Sequence, residues 1–291
     1  MVSERIAVRK TYKLYVGGAF PRSESGRTYD VTDAKGRFLA NAARASRKDA
    51  RDAVGAARKA GSGWSGRTPY NRGQILYRAA EMLEGRRAQL ADEVRRAEGG
   101  SATKAEAAVD ATVDRLVWYA GWADKVAQVV GSSNPVAGPY FDFSVPEPVG
   151  VVAALAPQRS SLLGLVSVIA PVIVTGNTCV VVASERRPLP AVTLAEILAT
   201  SDLPGGVVNI LTGRAVELAP WLASHMDVGA IDLTGVEDAA LAAELEASAA
   251  ENLKRVRRPA EDGEPDWSTD PGLAAITAFL ETKTVWHPVG I

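Results

Sequence analysis

From residue 149 onward the chain alternates short, wholly apolar runs with longer helical stretches, and that alternation leaves few folds open to it. Val149 to Ala156, Thr178 to Val182, Val207 to Leu211 and Ala230 to Leu233 are rich in valine, isoleucine and alanine. None shows the in-and-out pattern of a strand with one wet face, so each reads as a strand buried on both sides. Helical stretches separate them at Leu162 to Val174, Ala191 to Ala199, Ala215 to Ser224 and Asp238 to Ala250. Strands that are apolar on both faces and joined by helices predict a parallel sheet covered on both sides.

Crossovers in such a sheet are right-handed, so the expected fold class is α/β with a Rossmann-like parallel sheet and flanking helices. The preceding residues are organised differently. Residues 13 to 40 read as short strands and turns, with Asp33 to Gly36 as one turn. Ser46 with Asp49 has capping-box spacing and opens a helix through Val54 and Ala57. A second helix is expected over 70–96, with Ile75, Ala79, Leu83, Leu90 and Val94 on its apolar stripe. A third is expected over 103–130, placing Val109, Val113, Leu116, Val117 and Ala120 inward and Trp118 and Trp122 on a shared face.

After Val256 the periodicity stops. Three prolines lie in 257–271 and six charged residues in 257–266, so this stretch reads as an exposed connector. A short helix over 272–281 and a strand over 282–289 follow. The expected organisation is 1–132 as the entry strands and helices, 133–146 as a separate strand segment, 147–256 as the βαβ core, 257–271 as the connector, and 272–291 as a closing helix and strand. Fewer than about 40 residues follow the sheet, too few for a second independent core.

Composition excludes several functions. A net charge of -1 with dispersed Lys and Arg gives no reason to expect nucleic acid or an anionic membrane as partner. No apolar run approaches the ~20 residues that span a bilayer, and Met1 to Lys10 lacks the apolar core of a secretion signal. One cysteine rules out an intrachain disulfide framework and suits a reducing compartment, so a cytoplasmic location is expected. One cysteine and two histidines, His225 and His287, give no metal-ligand spacing.

The order of the segments resembles the NAD-dependent aldehyde dehydrogenase superfamily. The resemblance is carried by Lys13-Leu14-Tyr15-Val16-Gly17-Gly18, by Tyr119-Ala120-Gly121-Trp122-Ala123-Asp124-Lys125, and by Glu147-Pro148-Val149-Gly150-Val151-Val152. It continues through Gly176-Asn177-Thr178, Ser184-Glu185, Leu203-Pro204-Gly205-Gly206-Val207-Val208-Asn209, Thr234-Gly235 and Asn252-Leu253-Lys254-Arg255-Val256, and closes on Lys283-Thr284-Val285-Trp286. In that family the segment after Val256 leads to a general-base glutamate and then to a second domain bearing the nucleophilic cysteine. Here Arg257-Arg258-Pro259 begins the connector instead, and the sequence resumes at what resembles the family's last strand.

The resemblance therefore implies a degenerate form without the catalytic domain. Aldehyde oxidation by a thiolate needs a nucleophile, an oxyanion donor, a base and a nicotinamide. The sole thiol, Cys179, lies within an apolar strand, where cysteine acts as a small hydrophobe. Arg159 takes the place of the family's donor asparagine. At the nucleotide site Ser184, Glu185 and Gly235 remain as vestigial contacts. The lysine expected before them is absent, however, and Val236-Glu237 replaces a hydroxyl-bearing pair at a helix start. No catalytic residue, no metal and no bound cofactor are expected in this chain, with NAD on a partner subunit.

What remains is what the family uses for association. In Pro139 to Val145, Phe141, Phe143 and Val145 alternate with Tyr140, Asp142 and Ser144, and Thr282 to Val289 is a second strand of that kind. Tyr140, Phe141, Phe143, Val145, Lys283, Val285 and Trp286 are the expected interface. Phe279 to Pro288 resembles the C-terminal, non-catalytic region of family-16 aldehyde dehydrogenases. The expected function is a non-catalytic subunit that assembles with a full-length aldehyde dehydrogenase. The alternatives are a self-associating scaffold without an enzyme partner, or an NAD-dependent oxidoreductase or esterase that uses unrecognised residues.

Overall fold

The computed structural model describes residue 6 and residues 10–290. The expectations for the remaining N-terminal residues and for Ile291 lie outside the described residues. In chain order the elements are β1 (Thr28–Thr32), β2 (Phe38–Ala43), α1 (Arg47–Ser65), α2 (Pro69–Glu84), α3 (Arg87–Glu98), α4 (Ala102–Trp122), α5 (Val126–Val130), β3 (Ser132–Asn134), β4 (Tyr140–Pro148) and β5 (Val151–Leu155). They continue with α6 (Leu163–Val174), β6 (Thr178–Val182), α7 (Leu189–Leu198), β7 (Val208–Leu211), α8 (Ala215–Ser224), β8 (Val228–Asp232), α9 (Ala239–Ala250), β9 (Arg255–Arg257), α10 (Ala274–Thr277) and β10 (Leu280–Pro288).

The expected parallel sheet is present, with strand order β7-β6-β5-β8-β9. Alternate residues of β5 serve opposite faces. Val152 and Ala154 join a core that includes residues of α2, α4, α6 and α7, while Val151, Ala153 and Leu155 join a second core with α1, α8 and α9. This is why the strands read as unbroken apolar runs: neither face meets water. The edge strand β9 is an addition to the expected set. Its Arg257 sits opposite Asp232 of β8, and the guanidinium reaches that fully buried carboxylate at 3.1 Å.

All twelve residues of α6 are buried, as befits a helix enclosed between a sheet and an outer helical layer. Its last carbonyls have no partner within the helix, and side chains from upstream supply donors. Trp64 Nε1 donates to Ile173 O at 2.8 Å, and Arg72 Nε donates to Val174 O at 3.0 Å. The capping box forms as expected, with Asp49 N donating to Ser46 Oγ and Ser46 N donating to Asp49 Oδ2.

Two helices expected as continuous are divided. The 70–96 stretch breaks at Gly85-Arg86, where Gly85 caps α2 and Arg86 leaves helical geometry (φ -112, ψ 15) before α3. The 103–130 stretch is interrupted at residues 123–125, between α4 and α5. The apolar stripe continues across both breaks, so periodicity does not register them. On α4, Val109 and Leu116 are buried as expected, but Val117 is exposed on the other side. Trp118 and Trp122 do share a face, with ring centroids 5.6 Å apart.

The expected arm strands β4 and β10 pair with each other along their full length, antiparallel, from Leu280 opposite Pro148 to Pro288 opposite Tyr140. With β3 on the far side of β4 they make a three-stranded sheet of order β10-β4-β3. Among the described residues the outer edge of β10 pairs with no strand, and β3 covers only Asp142 to Ser144 on the other edge of β4.

Candidate functional site

In an open parallel sheet of this order the connections reverse direction between β5 and β8. The crevice outside the carboxyl ends of those two strands is where ligands bind in such folds. Two loops form it here: Ala156 to Ser161, after β5, and Thr234 to Glu237, after β8. They are held together at the backbone, with Gly235 N donating to Leu155 O at 3.1 Å. A Cβ on Gly235 would lie 2.2 Å from Ala156 O and 2.3 Å from Leu155 O. Glycine is required there by the contact between the loops themselves.

The other expected nucleotide contacts are spent internally. Ser184 is buried and its hydroxyl donates to Gln158 O at 3.2 Å, while Glu185 N donates to Gln158 Oε1 at 3.0 Å. Glu185 extends toward Arg214 at 3.8 Å. The Thr234 hydroxyl is bound to Asp232. Arg159 is exposed and pairs with Glu237 at 3.1 Å.

The connector crosses this crevice; most of it is exposed, as expected, but it is anchored at two points. Glu264 accepts backbone N–H groups from Arg159 at 2.8 Å and Ser160 at 2.9 Å, and the Trp267 indole N–H at 3.0 Å. Trp267 is buried, and the buried guanidinium of Arg115 on α4 donates to the carbonyls of Trp267 at 2.5 Å and Thr269 at 2.8 Å. Two anchors therefore pin a segment whose composition reads as loop. Gln158 and Glu264 carry the organisation of the crevice, and neither stands out by residue type or spacing.

A cavity of about 500 Å³ remains between the connector and α9. Glu237, Glu246, Glu261 and Glu264 line it against Arg159 and Arg258. Arg258 is taken by Glu246 at 2.9 Å, so the lining is net negative.

Cys179 is fully buried in β6, and burial pushes its thiol pKa far above the ordinary range, with buried Asp232 adding to the shift. A thiol so placed stays protonated and out of reach of a carbonyl. In the native protein a maleimide reagent should label Cys179 at least about a hundredfold more slowly than in guanidinium, where the thiolate is accessible. Native labelling at the denatured rate would overturn that placement. His225 lies in the loop after α8, where its Nδ1 accepts the Asp227 N–H, and His287 lies on β10. Among the described residues no cluster of His, Cys, Asp and Glu could hold a metal.

The expected interface residues occupy the small sheet but divide between its faces. Residues directly opposite across a strand pair share a face. Phe141, Phe143 and Val145, opposite His287, Val285 and Lys283, form one side. Tyr140 and Trp286 lie on the other, with rings 5.7 Å apart. That second side includes a polar ladder in which Asn134 donates to buried Asp142 at 2.6 Å and to Ser144 at 2.9 Å, and Ser144 bonds Thr284. The first side carries Phe141, 51% exposed, against Phe143 at 5.4 Å. The seven residues are thus two surfaces.

The family model described as "Aldehyde dehydrogenase family" matches residues 20–258. This chain belongs to the aldehyde dehydrogenase family. The match ends where the connector begins. Retinal dehydrogenase 2 of Mus musculus is 34% identical over 253 residues, covering 85% of this chain and 48% of the mouse protein. Cytosolic aldehyde dehydrogenase 1 of Elephantulus edwardii is 33% identical, covering 84% and 49%. The chain spans about half the length of the curated relatives it matches. Among solved structures, the NAD+ complex of aldehyde dehydrogenase from Bacillus cereus superposes with a TM-score of 0.80 at 27% identity, over 85% of this chain and 50% of that one. The family's Rossmann-like sheet is therefore present here.

Proposed function

We propose that this chain is a non-catalytic aldehyde dehydrogenase subunit that assembles with a full-length member of the family and leaves both NAD and the reacting thiol to that partner. One observation carries the reading. The crevice of the sheet is spanned by the chain's own connector, while the small sheet keeps an uncovered apolar face and an open strand edge.

The crevice does not suit a dinucleotide. A pyrophosphate would meet the carboxylates of Glu237, Glu261 and Glu264, and like charges at close range repel even at this solvent-exposed site. The backbone amides of Arg159 and Ser160, which could receive an anion, already hold Glu264. Cys179 is buried, so no thiolate is offered.

Association has what it needs. Among the described residues the outer edge of β10 pairs with no strand, leaving backbone groups for strand addition, and exposed Phe141 with half-buried Phe143 and Val285 presents apolar surface between Lys283 and His287. Co-expression with a full-length aldehyde dehydrogenase from the same source should yield one complex on size exclusion, and the double variant Phe141→Asp, Val285→Asp should dissolve it. Separate elution of the two wild-type proteins at micromolar concentration would sink the proposal. So would NAD-dependent turnover of an aldehyde by this chain alone.

A further inference from the structure

A second concave site lies away from the sheet crevice, under the β1–β2 hairpin. The segment before β1 runs back along β2: Ala43 N donates to Tyr12 O at 3.0 Å, and Leu14 N donates to Pro21 O at 3.1 Å. The loop between them turns at Gly26, whose N–H donates to Ser23 O at 2.9 Å in a left-handed conformation (φ 67) that suits glycine. These strands and the loop enclose a cavity of about 350 Å³. Ala40 and Ala43 line it with small side chains, Tyr12 and Phe38 add aromatic rings, and Lys10, Lys13, Arg22 and Arg27 add four cations, Lys10 lying 4.9 Å over the Tyr12 ring.

Its electrostatics are unlike those of the rest of the surface. Most guanidinium groups in this protein have a carboxylate partner, such as Arg37 with Asp33, Arg86 with Glu196, Arg87 with Asp110 and Arg255 with Glu281. Among the described residues no carboxylate lines this cavity, and the side chains of Lys13, Arg22 and Arg27 are in no ion pair or hydrogen bond, although Arg27 lies within electrostatic reach of Glu217 and the fourth lining cation, Lys10, is paired with Glu196 at 2.9 Å. Two acids that touch this loop, Asp49 of α1 and Glu24, are engaged elsewhere. Asp49 accepts from Ser23 Oγ at 2.7 Å, Glu24 N at 3.1 Å and Ser46 N at 2.8 Å, so its carboxylate braces the loop from beneath. Glu24 is bound to the Ser46 hydroxyl. The loop is thus held by its main chain and by Asp49, and the exposed side chains of Arg22 and Arg27, with half-buried Lys13, can reach a ligand.

We propose that this cavity binds a compact, multiply charged anion, a phosphate ester or polycarboxylate of metabolite size, with its charges on Lys13, Arg22 and Arg27. The volume lies at the small end of the range for small-molecule sites. Two guanidinium forks flanking one turn suit paired oxygens of a phosphate or carboxylate, and a lysine adds a point charge. The site is separate from the crevice between β5 and β8 and does not depend on whether the chain pairs with an enzyme.

Calorimetry on the full chain at low ionic strength tests this, with inorganic pyrophosphate and citrate as separate probes. Saturable one-to-one binding of either, with Kd below about 1 mM, is expected. Preference for pyrophosphate would assign the phosphate class, and preference for citrate the polycarboxylate class. The double variant Arg22→Ala, Arg27→Ala should weaken binding about tenfold or more with Tm changed by no more than about 1 °C, because both side chains are exposed and make no hydrogen bond or ion pair, Arg27 only coupling to Glu217 through solvent. Lys35→Ala, Lys104→Ala removes the same charge from distant exposed sites and should leave Kd unchanged. The proposal fails if neither probe binds, if the arginine variant binds equally well, or if the lysine control loses as much.

Discussion

Trp64→Ala should destabilise the protein by about 3–5 kcal/mol, the cost of emptying a fully buried aromatic site that cannot collapse. Trp64 is wholly buried near the end of α1, and its indole reaches across to the last turn of α6. Lost packing dominates this cost, because Ile173 O also accepts from Gly176 N at 3.1 Å and is not orphaned when the indole goes. Trp64→Phe, which keeps most of the volume, should therefore cost only about 1–2 kcal/mol. At about 2–4 °C per kcal/mol for a domain of this size, the alanine variant loses on the order of 10 °C in Tm. Equal losses for the two variants would show that the hydrogen bond, not the packing, is the main contribution. A loss under about 1 kcal/mol for alanine would remove Trp64 from the core.

Gly235→Ala should be as damaging for a different reason. The added methyl meets two backbone oxygens, Ala156 O and Leu155 O, at less than 2.5 Å, and no side-chain rotation can relieve a clash with main chain. Either the Gly235 N–H to Leu155 O bond breaks or the β5 and β8 loops separate, so a loss of about 3 kcal/mol or more is expected. If the glycine served only to admit a nucleotide, alanine would leave Tm unchanged. A Tm within about 1 °C of wild type would refute the close loop contact.

Much of the fold was legible in the residues because the signals were local or strictly periodic. The sequence expectation for Thr178–Val182 and Ala215–Ser224 coincides with β6 and α8, since a doubly buried strand and a well-bounded helix each carry their pattern within themselves. The capping box of Ser46 and Asp49 is also a local code. The breaks at Gly85 and at residues 123–125 were not legible, because each falls where the apolar stripe carries on. The division of Tyr140 and Trp286 from Phe141 and Phe143 was half legible. Alternation separates faces along one strand, but the register between β4 and β10, residues distant in sequence, decides which side each β10 residue joins.

At the candidate site the residues announced by sequence, Ser184, Glu185 and Gly235, proved to be tied up in the structure of the loops. Gln158, Glu264 and Arg115, which organise the crevice, had no signature. A carboxylate in a proline-rich connector looks solvated until the chain brings it against two backbone amides more than a hundred residues away.

By itself the sequence determined the parallel sheet, its helical covering and the presence of two arm strands, because burial on one or two faces is written in the period of apolar residues. It also determined that the one thiol lies inside a strand. Only the tertiary structure decided that the connector lies across the crevice, that β4 and β10 pair with each other, and that Lys13, Arg22 and Arg27 gather around one cavity. Those outcomes depend on contacts between distant segments, and neither residue type nor spacing encodes which distant partner a backbone amide, a strand edge or a guanidinium will meet.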